Sequence, residues 1–241
     1  MKVLLIGDSC TDVFVYGVVR RLNPEAPVPI LEPKREKRTE GMAWNVYNNL
    51  NALGVYVDMV TQEEEIIKTR YIHETSNQQI LRLDEESEVI PLDDEVPDGE
   101  YDALVISDYN KGFLTTEKIS DLVNSFDGPV FIDTKKNYLP KLDAYVKINE
   151  HEYNNFKSSI EKLLITRGGK GCEYKGKLYP AEKVNVFDVV GAGDTFLSAL
   201  VYFYLKYGTI EHAIPYANKA AAIAVSNFGT YTLTKEDVNT L

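Results

Sequence analysis

Asp188-Val189-Val190-Gly191-Ala192-Gly193-Asp194-Thr195-Phe196 is a glycine turn feeding an apolar run over 196–207, and its reading decides the fold. Gly191 and Gly193 let the backbone turn tightly and approach a ligand closely. The run that follows reads as a helix, and the first amides of a helix have no intrahelical acceptor, so the turn predicts an anion site. Asp194 falls in the middle of that site, where a carboxylate repels phosphate at short range. As a base it makes chemical sense: it can take the proton of an attacking hydroxyl while backbone amides stabilise a phosphoryl group in flight. The same residues also admit a purely structural reading, a Gly-rich turn with an aspartate in the first helical turn.

Position by position, the stretch resembles the signature of the ribokinase-like (PfkB) carbohydrate kinases: an Asp before the Gly-Ala-Gly, an Asp after it, and Thr-Phe entering the helix. The resemblance implies an α/β fold of ribokinase-like, three-layer type, with a mostly parallel central sheet, helices on both faces and a small β lid over the sugar. It implies one kinase domain over 1–241, with lid elements at about 12–40 and 69–84. Asp194 would be the catalytic base, the amides of Gly191, Ala192 and Gly193 the anion hole, and ATP the phosphoryl donor.

A chain of 241 residues is long enough for one large α/β domain with a full core. Two cysteines, Cys10 and Cys172, give neither a disulfide framework nor metal spacing, and His73, His151 and His212 are scattered. A reducing, cytoplasmic setting is the simplest expectation. The opening apolar run at 1–7 is too short for a signal peptide, and the run near 196–205 is too short to span a bilayer, so no membrane is expected. With 26 Lys+Arg against 37 Asp+Glu, the net charge of −11 argues against nucleic acid as a partner; an anionic nucleotide needs a local site.

From the N-terminus, 2–7 reads as a buried parallel strand ending in Gly7-Asp8, and loops at that sheet edge bind ligands. Asp8 and Asp12 lie there, and the resemblance gives Asp12 the sugar hydroxyls. Over 13–31 short β-like pieces are expected, because Pro24, Pro27 and Pro29 rule out helix, with Lys34-Arg35-Glu36-Lys37-Arg38 as a solvated loop. The phrase Pro24-Glu25-Ala26-Pro27-Val28-Pro29 is similar to the branch that phosphorylates C1 of D-glycero-β-D-manno-heptose 7-phosphate on the way to ADP-heptose. Asn77-Gln78-Gln79 and Arg82-Leu83-Asp84 in a hairpin over 70–83, and Asp108-Tyr109-Asn110-Lys111-Gly112 after a strand, fit the same branch. Lys68, Arg70, Arg82, Lys111 and Lys135 are the cations available to a sugar phosphate, Lys111 being placed nearest the phosphoryl path.

Glu40-Gly41-Met42-Ala43-Trp44-Asn45 stands where the family has a diglycine followed by a sugar-binding Asn; Asn45 is kept and the second glycine is not. The segment after Val60 is too short for the strand and helix that relatives place there, and the connection at 153–161 is trimmed as well. Asn149-Glu150-His151-Glu152 matches the Asn-x-x-Glu whose Glu152 organises hydrated Mg²⁺ indirectly. Thr166-Arg167-Gly168-Gly169-Lys170-Gly171 lacks the glycine and the Ser/Thr of a P-loop; it is similar instead to the family's turn over the nucleotide, giving cofactor-binding roles to Thr166, Gly168 and Gly171. Asn218 and Gly229 fall where relatives place the adenine, although Asn218 read alone is equally a solvent-facing residue of a core helix. No nucleotidyltransferase half is expected, since no His-x-Gly-His occurs. The resulting expectation is a kinase of a heptose 7-phosphate, against a kinase for another sugar, sugar phosphate or nucleoside, or a binding protein with weakened turnover. A requirement for a monovalent cation stays open, and a homodimer covering the unpaired edge of the lid strands over 13–31 is expected.

Overall fold

The computed structural model describes residues 1–93 and 96–241. In β1 (Lys2–Gly7) a half-exposed Lys2 is followed by five consecutive buried residues, and the apolar side chains alternate between two cores. Val3 and Leu5 enter one core and Leu4 and Ile6 the other, as a strand covered on both faces requires. Around β1 lie β4 (Tyr56–Val60), β7 (Ala103–Asp108), β8 (Val130–Thr134), β9 (Tyr145–Asn149) and β10 (Leu163–Thr166), all parallel. The hairpin of β11 (Cys172–Tyr174) and β12 (Lys177–Tyr179) adds antiparallel strands, giving the order β12-β11-β10-β9-β8-β7-β1-β4.

One face carries α1 (Ala43–Ala52), α4 (Ala192–Tyr207) and α5 (Ile210–Val225) over Val3, Leu5, Val105, Phe131 and Leu164. The other carries α2 (Thr116–Ser125), whose Ile119, Leu122 and Val123 pack on Leu104, Ile106 and Ile132. This is a three-layer α/β fold with a mostly parallel sheet, and the carboxyl ends of β1, β7 and β8 deliver Asp8, Asp108 and Asp133 to one edge. The short α3 (Glu150–Tyr153) and α6 (Lys235–Thr240) complete the helices among the described residues.

A second sheet of four strands has the order β3-β2-β5-β6, from β2 (Ser9–Leu22), β3 (Pro29–Met42), β5 (Ile66–His73) and β6 (Gln78–Glu86). Here the short β pieces expected over 13–31 give way to one long hairpin, each of its strands having 14 residues. The prolines do not interrupt it, because Pro24 and Pro27 occupy its turn and Pro33 lies on the edge strand beside a register shift, where no ladder bond is lost. The charged run 34–38 is correspondingly part of the exposed edge strand β3 rather than a loop. β3 passes directly into α1 through Met42, whose φ of 56° is unusual for a residue with a side chain. The shortened link between β4 and β5 is pinned by buried Gln62: it accepts from the Ser9 amide at 3.0 Å, and its own amide donates to the Ser9 carbonyl at 2.7 Å.

Leu200, on the buried face of α4, is 1 % exposed within the first core. Leu200→Ala should lower the unfolding free energy by about 2–5 kcal/mol, read from urea denaturation midpoints.

Candidate active site

Helix α4 starts at Ala192, earlier than the apolar run suggests, with Gly191 before it in the left-handed region at φ 76°. A side chain at Gly191 would put its Cβ 2.5 Å from Asn45 Nδ2, and one at Gly193 would put it 2.7 Å from Lys147 Nζ. The glycines are thus demanded by close approach on both sides of the helix end. Asp188 fixes the turn, its carboxylate accepting from the Val190 amide at 3.0 Å and from the Gly229 amide at 3.0 Å. The first-turn amides of Gly193 and Asp194 have no carbonyl acceptor among the described residues, so they remain available to an anion.

Asp194 is 2 % exposed. One carboxylate oxygen accepts from the Tyr109 hydroxyl at 2.7 Å and the other from Asn45 Nδ2 at 3.0 Å. Burial pushes the carboxyl up to about 6, and the nearby Asp133 adds to this; the hydrogen bonds from Asn45 and Tyr109, and the charge of Lys147, pull the other way. Asn45 also donates to the Gly191 carbonyl at 3.2 Å, and Asn49 holds its amide oxygen from the next turn of α1 at 3.1 Å. The residue expected to bind sugar is therefore turned toward the base. Below the helix end, Lys147 and Asp133 form an ion pair of 2.6 Å, both nearly fully buried.

Of the cations expected from the sequence, all but Lys68 are held by carboxylates. Arg70 and Asp12 form a buried pair between β5 and β2, packed so tightly that a Cβ at Gly41 would lie 2.2 Å from Asp12 Oδ2. Lys111 pairs with Glu86 of β6. Arg82, half exposed on the same strand, pairs with Asp84 at 2.8 Å, on the outer part of the small sheet. Lys135 lies 2.6 Å from Glu152 and 3.8 Å from Asp133; burial would lower its pKa, but the two carboxylates overcome this and raise it. Lys68 differs, having no carboxylate within ion-pair distance among the described residues, and its Nζ lies 5.6 Å from the centre of the Tyr109 ring. Burial and the like charge of Lys111 lower its pKa.

A second group gathers at the end of β10. Gly168 (φ 54°) and Gly171 (φ 106°) shape the turn, the Thr166 hydroxyl donates to the Ile148 carbonyl at 3.4 Å, and a Cβ at Gly171 would meet the Tyr179 carbonyl at 2.1 Å. Asn218 is 5 % exposed, and its amide donates to the carbonyls of Tyr179 and Pro180 at 2.9 and 3.3 Å, so it neither faces solvent nor offers a free donor. Glu152 is committed too, with one oxygen accepting from the Asn149 backbone and the other from the Asn149 side chain and Lys135. A cleft of about 530 Å³ is lined by Lys183, Val184, Asn185 and Phe187, from the segment that leads into the Asp188 turn, and by Ser226 at the end of α5. The exposed rings of Phe187 and Phe228 lie 5.5 Å apart there.

Sequence reasoning gave no role to Tyr109, Lys147 or Asp133. Lys147 left a signal, being a lysine in the otherwise buried strand β9 that demands an anionic partner. Tyr109 stood in the Asp108-Tyr109-Asn110-Lys111-Gly112 motif, but nothing local announces that its hydroxyl meets Asp194 across 85 positions.

Residues 150–237 match the model of the pfkB family of carbohydrate kinases. The chain is 28% identical to the bifunctional protein HldE of a Nitratiruptor species, over 98% of the chain and 64% of that protein. It is 30% identical to the bifunctional protein HldE of Helicobacter pylori (strain J99), over 98% of the chain and 65% of that protein. The chain thus spans slightly less than two thirds of these relatives, and the first alignment runs over 296 positions, more than the 241 residues of the chain, so segments are missing on its side. Among solved structures, the ribokinase of Thermotoga maritima superimposes with a TM-score of 0.71 at 17% identity, covering 99% of this chain and 98% of that one. Phosphofructokinase-2 of Escherichia coli gives 0.73 at 15%, covering 99% and 96%. These likenesses establish a ribokinase-like fold.

Because Asp194 is harder to ionise in the folded chain, near 6, than in the unfolded chain, near 3.9, it favours folding fully only below the lower value, and this contribution is lost as pH rises toward 6. Asp194→Asn should therefore be more stable than wild type at pH 7.5, by on the order of 2 kcal/mol, with the difference fading near pH 4. Urea unfolding at both pH values checks this.

Proposed function

We propose that the chain is a carbohydrate kinase of the pfkB family, whose model residues 150–237 match, and that it transfers the γ-phosphoryl group of ATP to a sugar that already carries a phosphate, C1 of a heptose 7-phosphate being the preferred acceptor. The observation that carries the reading is a buried carboxylate, poised near neutrality, in the first turn of a helix whose amides are open to an anion. Asp194 takes the acceptor proton as the hydroxyl attacks, and the amides of Gly191, Gly193 and Asp194 stabilise charge on the moving phosphoryl group; the Ala192 amide, expected among them, is turned to the Val189 carbonyl at 3.4 Å. Asp12 is placed toward the sugar by Arg70. Thr166, Gly168, Gly171 and Gly229 border the nucleotide, with Phe187 and Phe228 offering faces to its base. Asn218 shapes that border through the backbone at Tyr179.

Magnesium fits this chain through the nucleotide. No group of three or more His, Cys, Asp or Glu side chains suited to a metal occurs among the described residues, and both oxygens of Glu152 are occupied. Glu152 would act through water on a cation held mainly by phosphates. When bound, the ion neutralises phosphate charge; the chain's own part is to keep Glu152 and Lys135 beside it. Lys68, a partly buried ammonium with no carboxylate partner among the described residues, supports an anionic sugar, whose phosphate would supply the missing charge. A second copy of the chain is the proposed cover for the edge strand β6, where Leu81 and Leu83 are 58% and 44% exposed. No helix among the described residues is long and apolar enough to cross a membrane.

ADP release with ATP, Mg²⁺ and a panel of free and phosphorylated sugars tests the assignment. Phosphorylated sugars should be turned over fastest; free ribose, fructose or adenosine outpacing every one of them would remove the sugar-phosphate reading and leave the kinase. Asp194→Asn should reduce kcat by roughly 10²- to 10⁴-fold with nucleotide binding kept, and Asp12→Ala should raise the sugar KM first. Sedimentation at micromolar concentration should give a dimer; a monomer would overturn the lid contact.

A further inference from the structure

We propose that Tyr109 is the positioning residue of the base: its hydroxyl, donating to one oxygen of Asp194 while Asn45 donates to the other, aims the carboxylate and keeps it ionised for proton abstraction. This rests on Asp194 being the general base. A carboxylate with two oxygens can rotate about its Cβ–Cγ bond, and a single donor would leave that rotation open. Donors on opposite oxygens, at 2.7 and 3.0 Å, close it. Tyr109 is itself fixed from three directions. Its backbone amide donates to Asp8 at 2.6 Å, and the ammonium groups of Lys68 and Lys135 lie over its ring at 5.6 and 5.4 Å. Asp8 is fully buried and also accepts from the Lys111 amide, so the segment carrying Tyr109 is tied to the end of β1.

The hydroxyl acts as a donor here. Burial and the adjacent Asp194 charge raise the phenol far above its ordinary value, so it keeps its proton throughout the range in which Asp194 titrates. The charged and titratable groups facing Asp194 are Asp133 from β8, Lys147 from β9, Lys135 just beyond β8 and Cys10 from β2. Cys10 is pushed up to about 12 by burial and stays neutral. Asp133 disfavours the ionised base and Lys147 favours it, and the two are locked together at 2.6 Å. Lys135 adds a favourable charge, and the hydrogen bonds of Asn45 and Tyr109 are the direct contacts that favour the carboxylate against its burial. Removal of one raises the pH at which the base ionises.

Tyr109→Phe keeps the ring, and with it the contacts to Lys68 and Lys135, and deletes only the hydroxyl. In protein carrying ¹³C-carboxyl aspartate, with Asp194→Asn used for assignment, the Asp194 resonance should titrate about one pH unit higher in Tyr109→Phe than in wild type. Where the protein turns over a sugar, the acid limb of kcat should move by the same amount and kcat at pH 7.5 should fall about tenfold, with both KM values little changed. A second readout uses wild type alone: the ¹³Cζ resonance of Tyr109 should shift with the same midpoint as Asp194. An Asp194 midpoint equal in the two proteins, or a Tyr109 ring indifferent to it, would overturn the proposal. Absence of phosphoryl transfer to every acceptor would instead defeat the kinase reading, and the titrations would still decide the part of Tyr109.

Discussion

The first turn of α4 is wedged between Asn45 on one side and Lys147 on the other, with no room for a side chain at 191 or 193. Much of the architecture serves that approach. α1 descends from the small sheet to bring Asn45, β9 runs through the middle of the large sheet to bring Lys147, and the end of β8 supplies the carboxylate that makes a buried lysine tolerable. Asp188 then ties the turn to Gly229, joining the loop that precedes α4 to the loop that follows α5. Contacts far apart in sequence are satisfied together at one helix end.

The electrostatics there are a contest. The hydrogen bonds from Asn45 and Tyr109, the helix end and Lys147 favour a negative charge at 194; burial and Asp133 oppose it, and the opposition prevails, holding the carboxyl up at about 6. The outcome places the carboxyl close to neutrality, where a base is strong enough to accept a proton and still ionised enough to do so. Stability is given up for this, as is common where groups must react rather than rest.

The layers were legible because they follow local rules. Continuous apolar runs such as Leu4-Leu5-Ile6 mark strands covered on both sides, and Thr115 caps α2 through the Lys118 amide as its position suggests. The nine-residue glycine stretch pointed to the correct helix end. What local patterns could not convey is which partner a polar side chain chooses. Lys111, Lys135 and Arg70 look alike as free cations in the sequence, yet each is met by a carboxylate from another element, while Lys68 meets none among the described residues. The long hairpin was hidden for a related reason: three prolines within six residues argue against helix, but whether proline forbids a strand depends on whether that strand lies at an edge.

Met42 is the only residue between the last extended residues of β3 and the first turn of α1, and its backbone is already in a costly conformation at φ 56° and ψ −127°. The joint therefore has no slack. A displacement at the base of the hairpin meets no spacer residue before Asn45, three residues after Met42. The small sheet is in effect the long arm of a lever whose short arm rests on the Asp194 carboxylate.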